Sequence, residues 1–361
     1  MKTVDEILLQ DDFSKDDIIT LLKSDVEDRN KLYKKAAEIK EKYIGNKVYY
    51  RGLIEFSNKC GKNCYYCGIR AGNKDAERYE LTDKEVLEAC KFAHDSNYGS
   101  VVLQAGELNN EKFTTRISNL LQEIKKLSNN ELGITISLGE ESEDIYKEWY
   151  ENGAHRYLLR IESSNRELYY KLHPEDDKHS YEERINCLKN LQKAGYQTGT
   201  GVMIGLPFQT LEDLADDILF MKELDIDMCG MGPYIEHAET PLYQYKDQLL
   251  PLEERFNLAL KMIAILRIIM KDINIAAATA MQAIDPIGRE KAIKVGANII
   301  MPNITPGQYR DDYKLYENKP CTDDAAEDCK NCLEARIHIT GDQIGYGEWG
   351  DSKHYKRRQE K

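Results

Sequence analysis

From Lys47 onward the sequence alternates short β-rich runs with longer amphipathic stretches, and that alternation leaves the chain few folds to choose from. Eight runs read as strands, at 48–56, 100–104, 133–138, 156–161, 197–204, 227–231, 274–279 and 297–301. Helical periodicity marks the segments at 82–94, 111–127, 143–152, 181–194, 211–224 and 252–270. Repeated βα units with short connections predict a parallel sheet, and eight of them predict an α/β fold built on a complete (β/α)8 TIM-type barrel. In such a barrel the chemistry gathers where strands end and loops begin. Residues 1–46 read as an N-terminal helical cap, with Ser14 and Asp17 as a capping-box start and Gly45 as a stop. Residues 47–308 are then the barrel, and residues 309–361, where the alternation stops, a cysteine-containing C-terminal extension. A length of 361 residues suits one such core.

Composition excludes several roles. A net charge of −13 argues against a nucleic-acid partner, because phosphate binding relies on clustered Lys and Arg. The basic run at 353–361 reads as a solvated tail. No stretch approaches the ~18 uninterrupted apolar residues of a spanning helix, and the opening MKTVDEILLQDDFSKDD is too acidic for a secretory signal, so a cytoplasmic, membrane-free protein is expected. In that compartment nine cysteines are thiols or ligands rather than disulfides. Spacing sorts them into Cys60, Cys64 and Cys67, a second group at Cys321, Cys329 and Cys332, and three isolated residues, Cys90, Cys187 and Cys229, that read as buried small side chains.

The first group follows the first predicted strand and should form a loop at the catalytic end of the barrel. Three thiolates can ligate three irons of a 4Fe-4S cubane, leaving the fourth iron open in this loop, as catalytic metal sites keep a free position. A zinc knuckle with a distant fourth ligand is the competing reading, although zinc sites favour C-x2-C pairs and histidine partners. The C-x3-C-x2-C spacing, with aromatic Tyr66 before the last cysteine, resembles the signature of the radical S-adenosylmethionine (SAM) superfamily. That resemblance implies that SAM chelates the open iron and that one electron breaks a sulfur–carbon bond to give a 5′-deoxyadenosyl radical.

SAM calls for a cation at its carboxylate, an acceptor at its ammonium and backbone groups at its adenosyl part. Gln104 and the turn Ala105-Gly106-Glu107 follow the second strand, where the superfamily has a GGE-like turn. Arg160 and Glu162 end the fourth strand, with Arg184 at the start of a later helix; Arg184 is expected at the carboxylate and Glu162 at the ammonium. The segment GVMIGLP, with Met203 and Gly205, resembles the stretch that approaches the adenosyl moiety. Taken singly, an Arg or Glu at a strand end is more often a paired surface group.

The second group, C-x7-C-x2-C, reads as an iron–sulfur or zinc site, with His338 near enough in sequence to be a fourth ligand. A second iron–sulfur cluster, 2Fe-2S or 4Fe-4S, is favoured because the chain already handles one. With that tail, the motifs Ile54-Glu55-Phe56-Ser57-Asn58, Ser137-Leu138-Gly139-Glu140, Arg156-Tyr157-Leu158-Leu159-Arg160 and Met301-Pro302-Asn303 resemble the HydE family, the biotin synthase-like radical SAM maturases of FeFe-hydrogenase, from about Tyr43 to Cys332. This resemblance implies a substrate that is an iron complex carrying cysteine, carbon monoxide and cyanide, received from HydG and attacked at its sulfur, with the product moving to a HydF-type scaffold and a low-potential donor supplying electrons. It also implies that Arg51, Arg156 and Arg160 form an anion-binding cavity, since buried charges must be paired. Thr279, Met228, Met301, Tyr313 and Tyr316 map to positions lining that cavity, with plain barrel core as the alternative for the two methionines. The chain has Arg160-Ile161-Glu162 where the family has Arg-His-Glu, and Ala105 where it has Ser. Methylornithine synthase, a lysine mutase, is the main alternative, followed by biotin synthase and a non-enzymatic electron-transfer protein.

Overall fold

The run after Lys47 forms strand β1 (Lys47–Ser57), buried on both faces along most of its length, so it needs cover on both sides. It is followed by β2 (Ser100–Ala105), β3 (Gly133–Ser137), β4 (Ala154–Leu158), β5 (Gln197–Thr200), β6 (Met203–Ile204), β7 (Met228–Cys229), β8 (Gly232–Pro233), β9 (Asn274–Ile275), β10 (Ile299–Ile300) and β11 (Gln343–Ile344). This computed structural model describes residues 2–320 and 326–360, apart from the side chains of residues 326–332. Eight of the strands make a curled parallel sheet in the order β10-β1-β2-β3-β4-β5-β7-β9. At its two ends Ala276 and Ile299 form an isolated parallel bridge, and Asn298 N–H donates to the Ile275 carbonyl at 2.9 Å.

Helices cover the outer face. Glu111–Leu127 buries Phe113, Ile117, Leu120, Leu121 and Ile124, one stripe at helical spacing, while Asp83–Asp95 starts on a Thr82–Glu85 capping box. Helix Leu252–Ile269 is buried around nearly its whole girth because the N-terminal helices Lys15–Lys23 and Val26–Tyr43 pack on its outer side. Lys261 fixes them there, donating to the Leu22 and Ser24 carbonyls at 2.7 Å.

Several expected strands are shorter than their apolar runs. The run at 197–204 divides into β5 and β6, and β6 leaves the main sheet to pair with β8. At that break Gly201 lies against the Gly230 carbonyl, where a Cβ would not fit. Thr279, expected at a strand end, opens helix Thr279–Ile284.

The basic run at 353–361 is not a solvated tail. Helix Lys353–Gln359 is docked: His354 bonds Asp272 at 3.0 Å and Asp225 at 2.7 Å, and Arg358 bonds Asp227 at 2.7 Å. Its partners lie far away in sequence, so local charge patterning could not show them. Before it, β11 pairs with the first residues of β1, and residues 345–352 cross the N-terminal end of the sheet. Arg156 donates to the Trp349 carbonyl at 2.9 Å and to Asp351 at 2.7 Å, while Arg51 and Asn274 reach the Gly350 carbonyl at 3.2 and 2.8 Å. This crossing segment plugs the sheet opposite the cysteine loop.

Burial opposes ionisation of Asp351, but His155 and Arg156 outweigh it and hold the carboxyl well below the usual range. Asp351→Asn is expected to cost about 3 kcal/mol in denaturant unfolding, because it strips the carboxylate from a buried guanidinium. A folded pKa below the unfolded one stabilises above the unfolded value, so the wild-type advantage should be full above about pH 4 and fade as the pH falls further. Equal stability of variant and wild type at pH 7 would contradict this.

Candidate functional site

Strand β1 ends at Ser57, and the loop it feeds carries Cys60, Cys64 and Cys67 at the C-terminal end of the sheet. Asn58 sets the first turn, donating to the Glu77 and Asp312 carbonyls at 2.6 and 2.7 Å and accepting from Tyr79 N–H at 2.8 Å. Arg78 gathers the carbonyls of Asn58, Ile69, Arg70 and Asn73 at 2.7 to 3.0 Å. Asn63 N–H donates to His179 Nε2 at 2.9 Å, and Tyr65 N–H to the Leu172 carbonyl at 2.8 Å. Gly106 packs so close that a Cβ there would strike the Lys59 carbonyl and sit 2.8 Å from Cys60 Cβ. The loop is therefore preorganised by its own polar contacts.

Burial raises all three thiols, Cys64 to about 12. Backbone N–H groups of Lys62 and Glu107 on Cys60, and of Ile69 on Cys67, work the other way and favour thiolate. A bound metal centre would supply the remaining stabilisation that a buried thiolate needs. Among the described residues no three His, Cys, Asp or Glu side chains gather closely enough for a single metal ion. A cubane needs less convergence, since each thiolate ligates a different iron. The donor set fits a 4Fe-4S cluster.

The three cysteines line a cavity of about 340 Å³. Tyr66, Gln104, Ala105, Gly106, Glu162, Arg184 and Met203 share its lining, as do Arg160, Thr279, Met301, Tyr313 and Tyr316. Gly205 is not among them: at φ +81° it packs against the Arg255 side chain, and its N–H donates to Gln209. Arg51, Arg156 and Met228 also fall outside. In a strand every second side chain shares a face, so Arg51, Leu53 and Glu55 stack in depth on β1, and Arg156 and Leu158 on β4, with Arg160 continuing that line. Leu53 and Leu158 line the cavity, whereas Arg51 and Arg156 lie a level lower and face the C-terminal plug. Cys321 and the side chains of Cys329 and Cys332 lie outside the described residues; His338 is exposed on helix Ala326–Thr340.

Beside the cysteines lies a buried ion network that sequence reading does not assemble. Lys62 is 3.0 Å from Glu107 and 2.5 Å from Glu140, and Arg184 bonds Glu140 through Nε and the Arg160 carbonyl through Nη1 at 2.8 Å. Burial works against ionised Glu140, but Arg184 and Lys62 prevail and lower it, whereas burial leaves Glu107 raised. Glu162 adopts φ +66°, a left-handed conformation rare outside glycine, held by Glu162 N–H to the Gly201 carbonyl and Met203 N–H to its own carbonyl at 3.0 and 3.1 Å. Its carboxylate meets Arg160 at 2.8 Å, and burial raises its pKa despite that cation. Lys319 pairs with buried Glu55 at 2.6 Å on another side of the cavity. Lys62 stands inside the cysteine motif, so its place was visible in sequence, but its carboxylate partners come from other strand ends.

Residues 54–221 match the model of the radical SAM superfamily. The chain is 45% identical to the FeFe-hydrogenase maturase subunit HydE of Thermotoga maritima over 89% of its own length and 88% of that relative. It is 30% identical to 3-methylornithine synthase of Methanosarcina acetivorans over 80% of this chain and 78% of the relative. Among solved structures, methylornithine synthase PylB superposes with a TM-score of 0.80 at 26% identity, covering 95% of this chain and 97% of the other. HydG from Carboxydothermus hydrogenoformans gives a TM-score of 0.80 over 95% of this chain and 79% of the other, a likeness of fold at 19% identity. Members of the superfamily work with a 4Fe-4S cluster and SAM, the pair for which this loop and cavity have the donors. With its cysteine loop, its cavity and these relatives, the chain belongs to the radical SAM superfamily and, within it, to the HydE-type hydrogenase maturases.

Proposed function

We propose that the chain acts on a cysteine-bound iron carbonyl cyanide complex, delivered from HydG, during assembly of the FeFe-hydrogenase cofactor, and passes its product toward a HydF-type scaffold. The observation that carries this reading is the cavity itself: the three cysteines and a cation-rich lining share it. Lys62, Arg160, Arg184, Arg289 and Lys319 line it against Glu55, Glu107 and Glu162, and with Glu140, which bonds Lys62 and Arg184 from just outside the lining, five cations meet four carboxylates, a balance that suits an anionic complex. Of the three arginines expected from sequence, Arg160 belongs to this proposed anion site, while Arg51 and Arg156 lie below it against the C-terminal plug.

Cys60, Cys64 and Cys67 would hold the cluster. When bound, cluster and SAM together supply a 5′-deoxyadenosyl radical through one-electron cleavage of a sulfur–carbon bond. Arg184, fixed by Glu140 at Nε and by the Arg160 carbonyl at Nη1, keeps Nη2 for the SAM carboxylate, with Glu107 3.7 Å away. Glu162 would accept from the ammonium, and Met203 and the Ala105-Gly106 backbone would flank the rest of the molecule. Leu53 and Leu158 keep the lower cavity apolar and, with Leu315 beside the cysteine loop, exclude water.

The bridge between Ala276 and Ile299 is read as the seam of a full (β/α)8 barrel, which would wall the cavity all round. The C-x7-C-x2-C run keeps its reading, from sequence alone, as a second iron–sulfur site. A cytoplasmic location with a low-potential electron donor completes the proposal; among the described residues no helix is long and apolar enough to cross a membrane. Methylornithine synthase remains the second reading, favoured by the superposition on PylB.

Anaerobic reconstitution with iron and sulfide, then SAM and dithionite, should yield 5′-deoxyadenosine; none in a sample with an intact cubane spectrum would refute the activity. Offered separately, lysine should be left unchanged and a synthetic cysteine-bound iron dicarbonyl cyanide complex consumed, and turnover of lysine would end the maturase reading. Glu140→Gln should weaken SAM binding by about tenfold in equilibrium dialysis, since it frees Arg184 Nε from its charged partner in a buried site. Undiminished affinity would remove Arg184 from the SAM site. Cys329→Ala is expected to retain SAM cleavage, and its complete loss would place the second cysteine group in the reaction.

A further inference from the structure

We propose that Lys319 is a positioning residue: by gripping Glu55 it holds residues 312–320 as a fixed side of the cavity. This segment supplies Tyr313, Leu315, Tyr316, Lys319 and Pro320 to the lining. Its earlier part is tied to the cysteine loop, through Asn58 Nδ2 to the Asp312 carbonyl at 2.7 Å and Gly68 N–H to the Leu315 carbonyl at 3.1 Å. Farther along, Glu317 N–H donates to the Glu236 carbonyl at 3.2 Å. Lys319 fastens the end: its Nζ lies 2.6 and 2.7 Å from the two Glu55 oxygens and donates to the Tyr313 carbonyl at 3.0 Å.

Both partners are out of water, Glu55 at 2% and the Lys319 side chain at 7% exposure. Glu55 is itself fixed from the sheet side, because Asn303 Nδ2 donates to it at 3.0 Å. The Lys319 ammonium lies 5.0 Å from the Tyr313 ring centre, and Tyr313 in turn accepts from Gln104 at 3.3 Å. Lys319 therefore touches strand β1, which leads into the cysteine loop, and Tyr313 on the same segment. A buried ion pair adds little net stability over an apolar contact, but it penalises every arrangement in which one partner is left alone. That penalty gives the segment a single seat. With the seat lost, the cavity opens toward solvent on the side of Tyr313 and Leu315, and a reactive intermediate inside it would be quenched more often.

The functional arm of this inference rests on the radical SAM reading; the structural arm does not. The test compares the anaerobically reconstituted full chain with Lys319→Met, Lys319→Arg and Glu55→Gln by amide hydrogen exchange. Lys319→Met and Glu55→Gln should speed exchange in residues 313–319 by at least ~tenfold and leave β2 and β3 at wild-type rates, and Lys319→Arg should restore most of the protection. With the synthetic cysteine-bound iron complex and dithionite, Lys319→Met should also release several times more 5′-deoxyadenosine per complex consumed, with Lys319→Arg close to wild type. Wild-type exchange in 313–319 of Lys319→Met overturns the proposal, as does equal acceleration of β2 and β3, which would make the pair a general stability element. If the wild-type chain makes no 5′-deoxyadenosine, the activity reading fails while the exchange result still decides the role of Lys319.

Discussion

The parallel hydrogen-bond ladder of β1 carries the rest of the molecule. This strand runs for 11 residues and is paired on one flank with β10 and on the other with β11 at its first residues and β2 beyond them. Because its inward side chains recur every second residue, one strand spans the interior in layers. Arg51 faces the C-terminal plug, Leu53 and Glu55 line the cavity, and the cysteine loop begins just beyond Ser57. The register with β2, from Arg51 opposite Ser100 to Ser57 opposite Ala105, brings the Gly106 turn against Cys60. A register slip of one residue would invert every layer.

Charge is the second organising constraint. The interior of the sheet holds ionised groups at three depths: Arg156 with Asp351 at the plug, Lys319 with Glu55 beside the cavity, and Lys62 and Arg184 with Glu107 and Glu140 near the cysteines. Each set is drawn from distant parts of the chain. Such sets contribute little net stability, yet each fails badly when one member is removed, so together they specify a single arrangement of the C-terminal segment, the cavity side and the cysteine loop. Apolar packing alone would hold these parts together with less definition.

Three described stretches of the C-terminal region belong to the working core: β11 beside β1, residues 345–352 across the bottom, and residues 312–320 along the cavity. The same chain end thus closes the sheet at one extremity and shapes the reaction space at the other. This explains why Tyr313, Tyr316 and Lys319, all beyond the last main-sheet strand, reach the cavity at all.

The sequence by itself determined the βα alternation, the parallel sheet of eight strands and the loop of three cysteines, because these are encoded in local periodicity and in spacing between neighbours. It also singled out Tyr66 within the cysteine motif, and Arg160, Glu162 and Arg184, whose places near strand and helix ends follow from the same alternation. The tertiary structure alone decided depth and partnership. Arg51 and Arg156 have the same residue type and inward parity as a cavity residue, and only the curl of the sheet and the C-terminal plug put them below Leu53 and Leu158. Lys62 with Glu140, Lys319 with Glu55 and the docked helix at 353–359 were equally hidden, since each pairing joins residues more than 70 positions apart and has no trace in local pattern.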